Sequence, residues 1–254
     1  TDWTLSCIDE TTETRTPLGA IRLPFPPESP LSGICKTLED HEAWLYETTV
    51  SLSASDIRGR VLLHLPPTDQ MCIVTLNNHS YEEQISFPAP TTLDITEYVT
   101  AGDNKLTVFV RDPLNPDIPY GKQCKKRGGM WYVPTSGMRG MPWIECVPQD
   151  YIRDIRITST LDAVTMTVTG CETMSKTLTY ETEHGSETVS FTNASVTIHI
   201  SNPHHWTPND PHVYRFTFRC GEDEISSYFA LRTITAEHKN GSSVLCLNGK
   251  PHYF

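Results

Sequence analysis

Residues Gly121 to Glu145 read GKQCKKRGGMWYVPTSGMRGMPWIE, and the fold turns on how they are taken. The stretch is too rich in Gly, Pro and Trp for a helix, and it lies between a strand ending near Asp112 and another beginning near Pro142. Loops longer than about 12–15 residues in a compact domain are functional or disordered. Met130, Trp131, Tyr132, Met138 and Trp143 are not the composition of disorder. The stretch is therefore read as a long structured loop, packed and placed at a site.

Working outward, the whole chain has 254 residues, enough for one large or two medium domains, each with its own core. Its 37% hydrophobic and 20% charged residues fit a globular protein, and its 19 prolines point to loop-rich β structure. A net charge of −11 argues against a nucleic-acid binder, which carries a basic footprint. Lys122, Lys125, Lys126 and Arg127 form the one basic cluster. No Gly-rich turn leads from it into a helix, so it reads as a solvated loop face. No apolar run is long enough to span a membrane and no charged-then-apolar leader opens the chain, so a soluble protein without a membrane partner is expected. The eight cysteines include no CxxC pair. They read as isolated buried thiols, which points to a reducing, cytoplasmic compartment, with no metal and no cofactor.

Before the loop, the prolines between Leu23 and Leu31 exclude helix and predict an extended surface segment. Ala43–Leu52 reads as a strand with Trp44, Tyr46, Thr48 and Val50 on one face. Arg60–Leu65 and Met71–Leu76 are two further strands, expected to pair as a hairpin across Pro66-Pro67, and Asn77-Asn78 turns the chain. Thr96 is a plausible N-cap for a short turn at Glu97–Val99. Gly102-Asp103-Asn104 is read as a turn into Leu106–Val110. The region reads as an antiparallel jelly-roll sandwich.

After Pro148 the texture changes to short alternating strands, beginning at Ile152–Thr158 and ending with Glu224–Thr233. Val164, Met166 and Val168 alternate, as do Tyr214, Phe216 and Phe218. His184-Gly185-Ser186 and Gly221-Glu222-Asp223 supply turns. Seven short strands in under about 100 residues is the pattern of an immunoglobulin-like sandwich. At the end, Asn248-Gly249 is a strong two-residue hairpin turn, and Pro251–Phe254 begins a return strand. A further module beyond it is expected.

The succession LPFPPESPLSGI, WLYETTV, RVLLHL, GDNKLTVFVRD, GKQ, GGMWYVPTSG, PWIE, HHWTPNDPHVY, SYFALR and LNGKP resembles the N-terminal half of a glycoside hydrolase of family two, of the β-galactosidase and β-glucuronidase type. The resemblance implies an all-β chain: a jelly-roll sugar-binding domain over 1–148, an immunoglobulin-like domain over 149–237, and over 238–254 the lead-in hairpin of a missing (β/α)₈ catalytic barrel. It implies a carbohydrate substrate, most naturally a β-galactoside, a family habit of homo-oligomers, and two catalytic Glu residues on the barrel. Retaining glycosidases need carboxyl groups about 5–5.5 Å apart, and the acidic neighbours here, Glu82-Glu83 and Glu222-Asp223-Glu224, read as solvated. No catalytic residue is therefore assigned.

Four residues are candidates for the substrate edge. The resemblance places Asp112 where galactosidases of the family direct an Asp toward the sugar, and a carboxylate accepts bonds from two hydroxyls; preceding Pro113, it equally shapes a turn. Lys122 and Gln123 match the family's GKQ, as loop support before sugar contact. Trp131, like Tyr132 beside it, has a face on which a sugar ring can stack, but GGMWYVPTSG resembles the family segment that locks the jelly roll against the barrel, which implies that both fill the core beneath the loop. His204-His205 is not a metal-ligand spacing. Two departures, the polar run Asn77–Gln84 and Met138-Arg139-Gly140-Met141 after the TSG, put the sugar specificity in doubt. A free-standing carbohydrate-binding module or lectin is the competing reading, and an adhesion module a third.

Overall fold

The computed structural model describes residues 2–85, 89–126, 128–239 and 241–253, and of Lys239 the backbone alone. Arg127 of the basic cluster and Phe254 of the return strand lie outside the described residues. The described chain is almost entirely β, and it divides into two compact units, 1–147 and 148–254.

Unit 1 is the jelly-roll sandwich. Its larger sheet is built on β3 (Glu42–Leu52), after β1 (Trp3–Asp9) and β2 (Thr14–Ile21) have formed a hairpin against its edge. Trp44, Tyr46 and Thr48 are buried while Thr49 and Ser51 are exposed, the period of two that a half-buried strand requires. The smaller sheet centres on β4 (Arg60–Leu65), whose Val61, Leu63 and Leu65 face the same core. Then come β5 (Thr68–Asp69), β6 (Met71–Leu76), β7 (His79–Ser80), β8 (Gln84–Ile85), β9 (Thr91–Asp94) and β10 (Gly102–Arg111). After the long loop, β11 (Gly137–Met138) and β12 (Trp143–Val147) end the unit. The larger sheet runs β2-β1-β3-β10-β6-β7 and the smaller β12-β4-β9.

Several expectations change in this unit. Arg60–Leu65 and Met71–Leu76 do not pair: β4 bonds to β12 and β9, whereas β6 bonds to β10. Pro66-Pro67, with no N–H to donate and a fixed φ, carries the chain from one sheet to the other instead of reversing it. Thr96 caps nothing. Its hydroxyl accepts the Val61 N–H at 2.9 Å and donates to Asp94, whose carboxylate shapes the turn. Gly102-Asp103-Asn104 already belongs to β10, and buried Asn104 ties down the preceding turn through Thr100. The proline-rich segment contains one 3-10 turn, Pro30–Ser32, with Ser29 accepting the Leu31 N–H.

Unit 2 is the immunoglobulin-like sandwich. It contains β13 (Asp154–Ser159), β14 (Ala163–Thr169), β15 (Lys176–Thr182), β16 (Gly185–Phe191), β17 (Ser195–His199), β18 (Tyr214–Cys220) and β19 (Asp223–Phe229). One sheet runs β13-β14-β17 and the other β16-β15-β18-β19. Met166, Leu178, Phe216 and Phe218 meet in the core between them. Thr182 pairs with Gly185, so the turn is Glu183-His184, one residue earlier than read. Lys176 is fully buried, and its ammonium donates to the carbonyls of Met174, Thr192 and Glu172 at 3.0, 3.3 and 3.4 Å. A three-stranded sheet of β20 (Ile234–Lys239), β21 (Ser242–Leu247) and β22 (Lys250–Pro251) closes the unit. Asn248 and Gly249 turn it at φ 51 and 74, left-handed values that this dipeptide adopts readily.

None of the eight cysteines is in a disulfide. They are not uniformly isolated or buried: Cys35 and Cys146 are exposed, and burial and the hydrogen bond its protonated form gives to Cys220 push the Cys171 thiol up to about 12. Among the described residues no helix is long and apolar enough to cross a membrane, and no group of three or more His, Cys, Asp or Glu is placed to hold a metal ion.

Candidate functional site

The loop after β10 is tied to unit 1 by side chains, because it has few partners for its own backbone. At its start Asp112 accepts the Leu114 N–H at 3.3 Å, a local turn. Buried Gln70 accepts the Asn115 N–H at 2.9 Å and donates to the Asn115 carbonyl at 3.0 Å. Midway, Gln123 joins the two arms: its amide donates to the Tyr120 carbonyl and accepts the Thr135 N–H, both at 2.7 Å. Backbone bonds of Tyr132 with Lys122 and Cys124 reinforce the join.

The return arm is buried deepest. Ser136 accepts a bond from the Trp44 indole at 2.7 Å and donates to Glu28, which also takes the Ser136 N–H at 3.1 Å. The short ladder β5–β11 sets Gly137 opposite Asp69. Gly137 has φ 84, and a Cβ there would lie 2.0 Å from the Tyr46 hydroxyl, so no other residue fits. Arg139 pairs with Asp69 at 2.5 Å and donates to the Thr135 carbonyl at 3.1 Å.

Three carboxyl groups, Glu28, Asp69 and Asp112, thus lie within electrostatic reach of one another, and the Arg139 guanidinium acts on Asp69 and Asp112. Burial pushes Asp69 up to about 7, against the lowering by Arg139, and the nearby Asp112 and Glu28 charges add to the rise. Burial also raises Glu28 and Asp112 above the ordinary carboxylate range, offset by Ser136 for the first and by the Leu114 N–H, Arg139 and Lys125 for the second. Asp69 Oδ1 is buried without a hydrogen-bond partner. A cleft of about 650 Å³ opens beside this cluster, lined by Pro26, Glu28, Leu38, Lys125, Val133 and Thr135. Lys125 of its lining pairs with Asp40 at 2.5 Å.

Of the residues singled out from the sequence, Asp112 is buried and occupied with the turn, Gln123 is buried and clamps the loop, Lys122 is exposed, and Trp131 is exposed. The expected core placement of Trp131 and Tyr132 is corrected. Met130, Trp131 and Tyr132 are 69%, 48% and 69% exposed, and the backbone bonds of Tyr132 run to Lys122 and Cys124 of the opposite arm of the loop. Sequence reading missed Glu28, Asp69 and Arg139, which are far apart in the chain; an unmatched acid in a buried β pattern was the available signal. Asp223, read as solvated, accepts the Ile152 N–H at 2.7 Å. His204 stacks on His212 with ring centroids 4.1 Å apart, while His205 bonds the Leu161 carbonyl.

The fold and the loop define a tandem of jelly-roll and immunoglobulin-like sandwiches in which the first presents a largely apolar cleft beside buried carboxyl groups and an exposed aromatic stretch of loop. Residues 151–232 match the family model of the glycosyl hydrolases family 2, so the resemblance read from the motifs stands. All of this chain superposes on 47% of a β-glucuronidase from Ruminococcus gnavus in complex with C6-substituted uronic isofagomine, with TM-score 0.79 and 16% identity. It likewise covers 47% of a β-glucuronidase from an uncultured Clostridium species, with TM-score 0.72 and 18% identity. The chain therefore has the fold of the N-terminal domains of such enzymes and spans about half the length of the structures it matches. No curated protein matches it.

Proposed function

We propose that this chain forms the two accessory β domains of a β-glycosidase acting on terminal β-linked sugars, whose catalytic carboxylates and barrel lie on further chain. The observation that carries the reading is the family match of residues 151–232 within a chain whose whole length superposes on 47% of a β-glucuronidase. In this reading the Met130–Val133 stretch docks the barrel: four consecutive apolar or aromatic residues about half exposed or more are a surface that water does not favour. Asp112 and Gln123 shape the loop, and Lys122 and Trp131 are offered at the substrate edge.

The sugar we propose is a β-glucuronide, since the matched structures are β-glucuronidases. The β-galactoside expected from the sequence has no such support and is the competing substrate. The test is hydrolysis of aryl β-glucuronides and β-galactosides by residues 1–254 and by the natural protein that contains them. Turnover by the longer protein alone, with the glucuronide preferred, is expected. A galactoside preference would replace the sugar assignment. Absence of turnover in the longer protein, with sugar bound by residues 1–254, would replace the enzyme reading by the lectin one.

A further inference from the structure

The outer face of the four-stranded sheet in unit 2 combines rows of paired hydroxyls with two guanidiniums, two carboxylates and one exposed aromatic ring. Strand register places its outward side chains in rows across β16, β15, β18 and β19. One row is Thr188, Thr179, Thr217 and Ser226, hydroxyls throughout, paired Thr179–Thr188 at 3.0 Å and Thr217–Ser226 at 3.1 Å. The next row holds Ser186 opposite Glu181 and Arg215 opposite Tyr228, with Glu181 accepting the Arg215 N–H at 3.2 Å. The row on the other side closes with the Arg219–Glu224 ion pair. The side chains between these rows, Leu178, Tyr180, Phe216 and Phe218, point into the core, so the outer set is held on a rigid support.

The face is concave, with a hollow of about 450 Å³ over Thr179, Glu181, Arg215, Ser226 and Tyr228. Tyr228 is 60% exposed and is the aromatic platform at its edge. Each paired hydroxyl keeps unused hydrogen-bonding capacity, since a hydroxyl carries one donor and two acceptor sites. The two acids and two guanidiniums cancel, which gives neither a phosphate backbone nor a metal ion a net field to follow. Apart from Tyr228 the rows carry no apolar side chain, the reverse of the desolvated centre of a protein interface. A neutral ligand that offers many hydroxyls and one apolar ring face matches all these features together.

We propose that this face binds a neutral oligosaccharide, its pyranose ring stacked on Tyr228 and its hydroxyls bonded to Arg215, Glu181 and the Thr179–Thr217 row. The site is independent of the cleft in unit 1 and of the glycosidase reading. The test is electrophoresis of this chain through native gels containing mixed-linkage β-glucan, galactomannan or arabinoxylan. At least one polysaccharide should retard the chain. Tyr228→Ala should weaken the retardation at least tenfold, Tyr228→Phe should keep it, and Arg215→Ala should weaken it with an unchanged amide fingerprint. No retardation in any of the three gels overturns the proposal. So does retardation that survives Tyr228→Ala, or that Trp131→Ala removes while Tyr228→Ala does not.

Discussion

Asp69 shows how one buried side chain makes stability depend on pH. Burial moves its carboxyl from 3.8 to about 7 despite the Arg139 pair, so the folded state holds this proton after the unfolded chain has released it. The stability contributed by the protonated form is complete below about pH 4 and is lost as the pH rises through about 7. Glu28 and Asp112, raised by the same burial, act in the same direction. Asp69→Asn keeps the shape without the titration. The difference in urea midpoint between wild type and this variant should therefore swing toward the variant as the pH goes from 4 to 7. A difference that is flat with pH would show that Arg139 keeps Asp69 ionised throughout. None of this was readable in the sequence, where Asp69 is a polar residue after two prolines and its partners lie about 40 and 70 positions away.

At the level of elements, the long loop keeps its shape through side-chain clamps more than through backbone pairing. Gln123 is the clamp joining both arms, and its loss leaves the Thr135 N–H and the Tyr120 carbonyl without their partner. A buried hydrogen bond of this kind contributes about 0.5–1.5 kcal/mol, and an unsatisfied partner costs about 1–3 kcal/mol. Gln123→Ala should speed amide exchange at Thr135 and Tyr132 about tenfold or more while the β3–β10 ladder keeps its protection. Equal acceleration in both would mean the loop and the sheet open together. The strands themselves were legible: β3, β4, β6 and β15 stand where alternation and β-branched residues put them. Their partners were not. The hairpin expected across Pro66-Pro67 is a local pairing, whereas the chain instead satisfies β4 with strands from residues 91–94 and 143–147.

On the scale of the molecule, the two units carry separate cores that share no residue. Phe218, fully buried between the sheets of unit 2, tests this separation. Phe218→Ala should cost about 3–5 kcal/mol, read as lost amide protection in β14, β15 and β18 with β3 and β10 unchanged. Loss in all of them would make the chain one cooperative body. The sequence by itself determined the all-β class, the change of texture after Pro148, the Asn248-Gly249 turn and the family motifs, because strand period, turn residues and motifs are properties of neighbouring positions. Only the tertiary structure decided which strands pair and that Glu28, Asp69 and Asp112 lie within electrostatic reach of one another. It also decided that Trp131 faces outward and that a neutral row of hydroxyls crosses four strands beside Tyr228. Burial and proximity across the fold depend on contacts between residues distant in the chain, which no local pattern records.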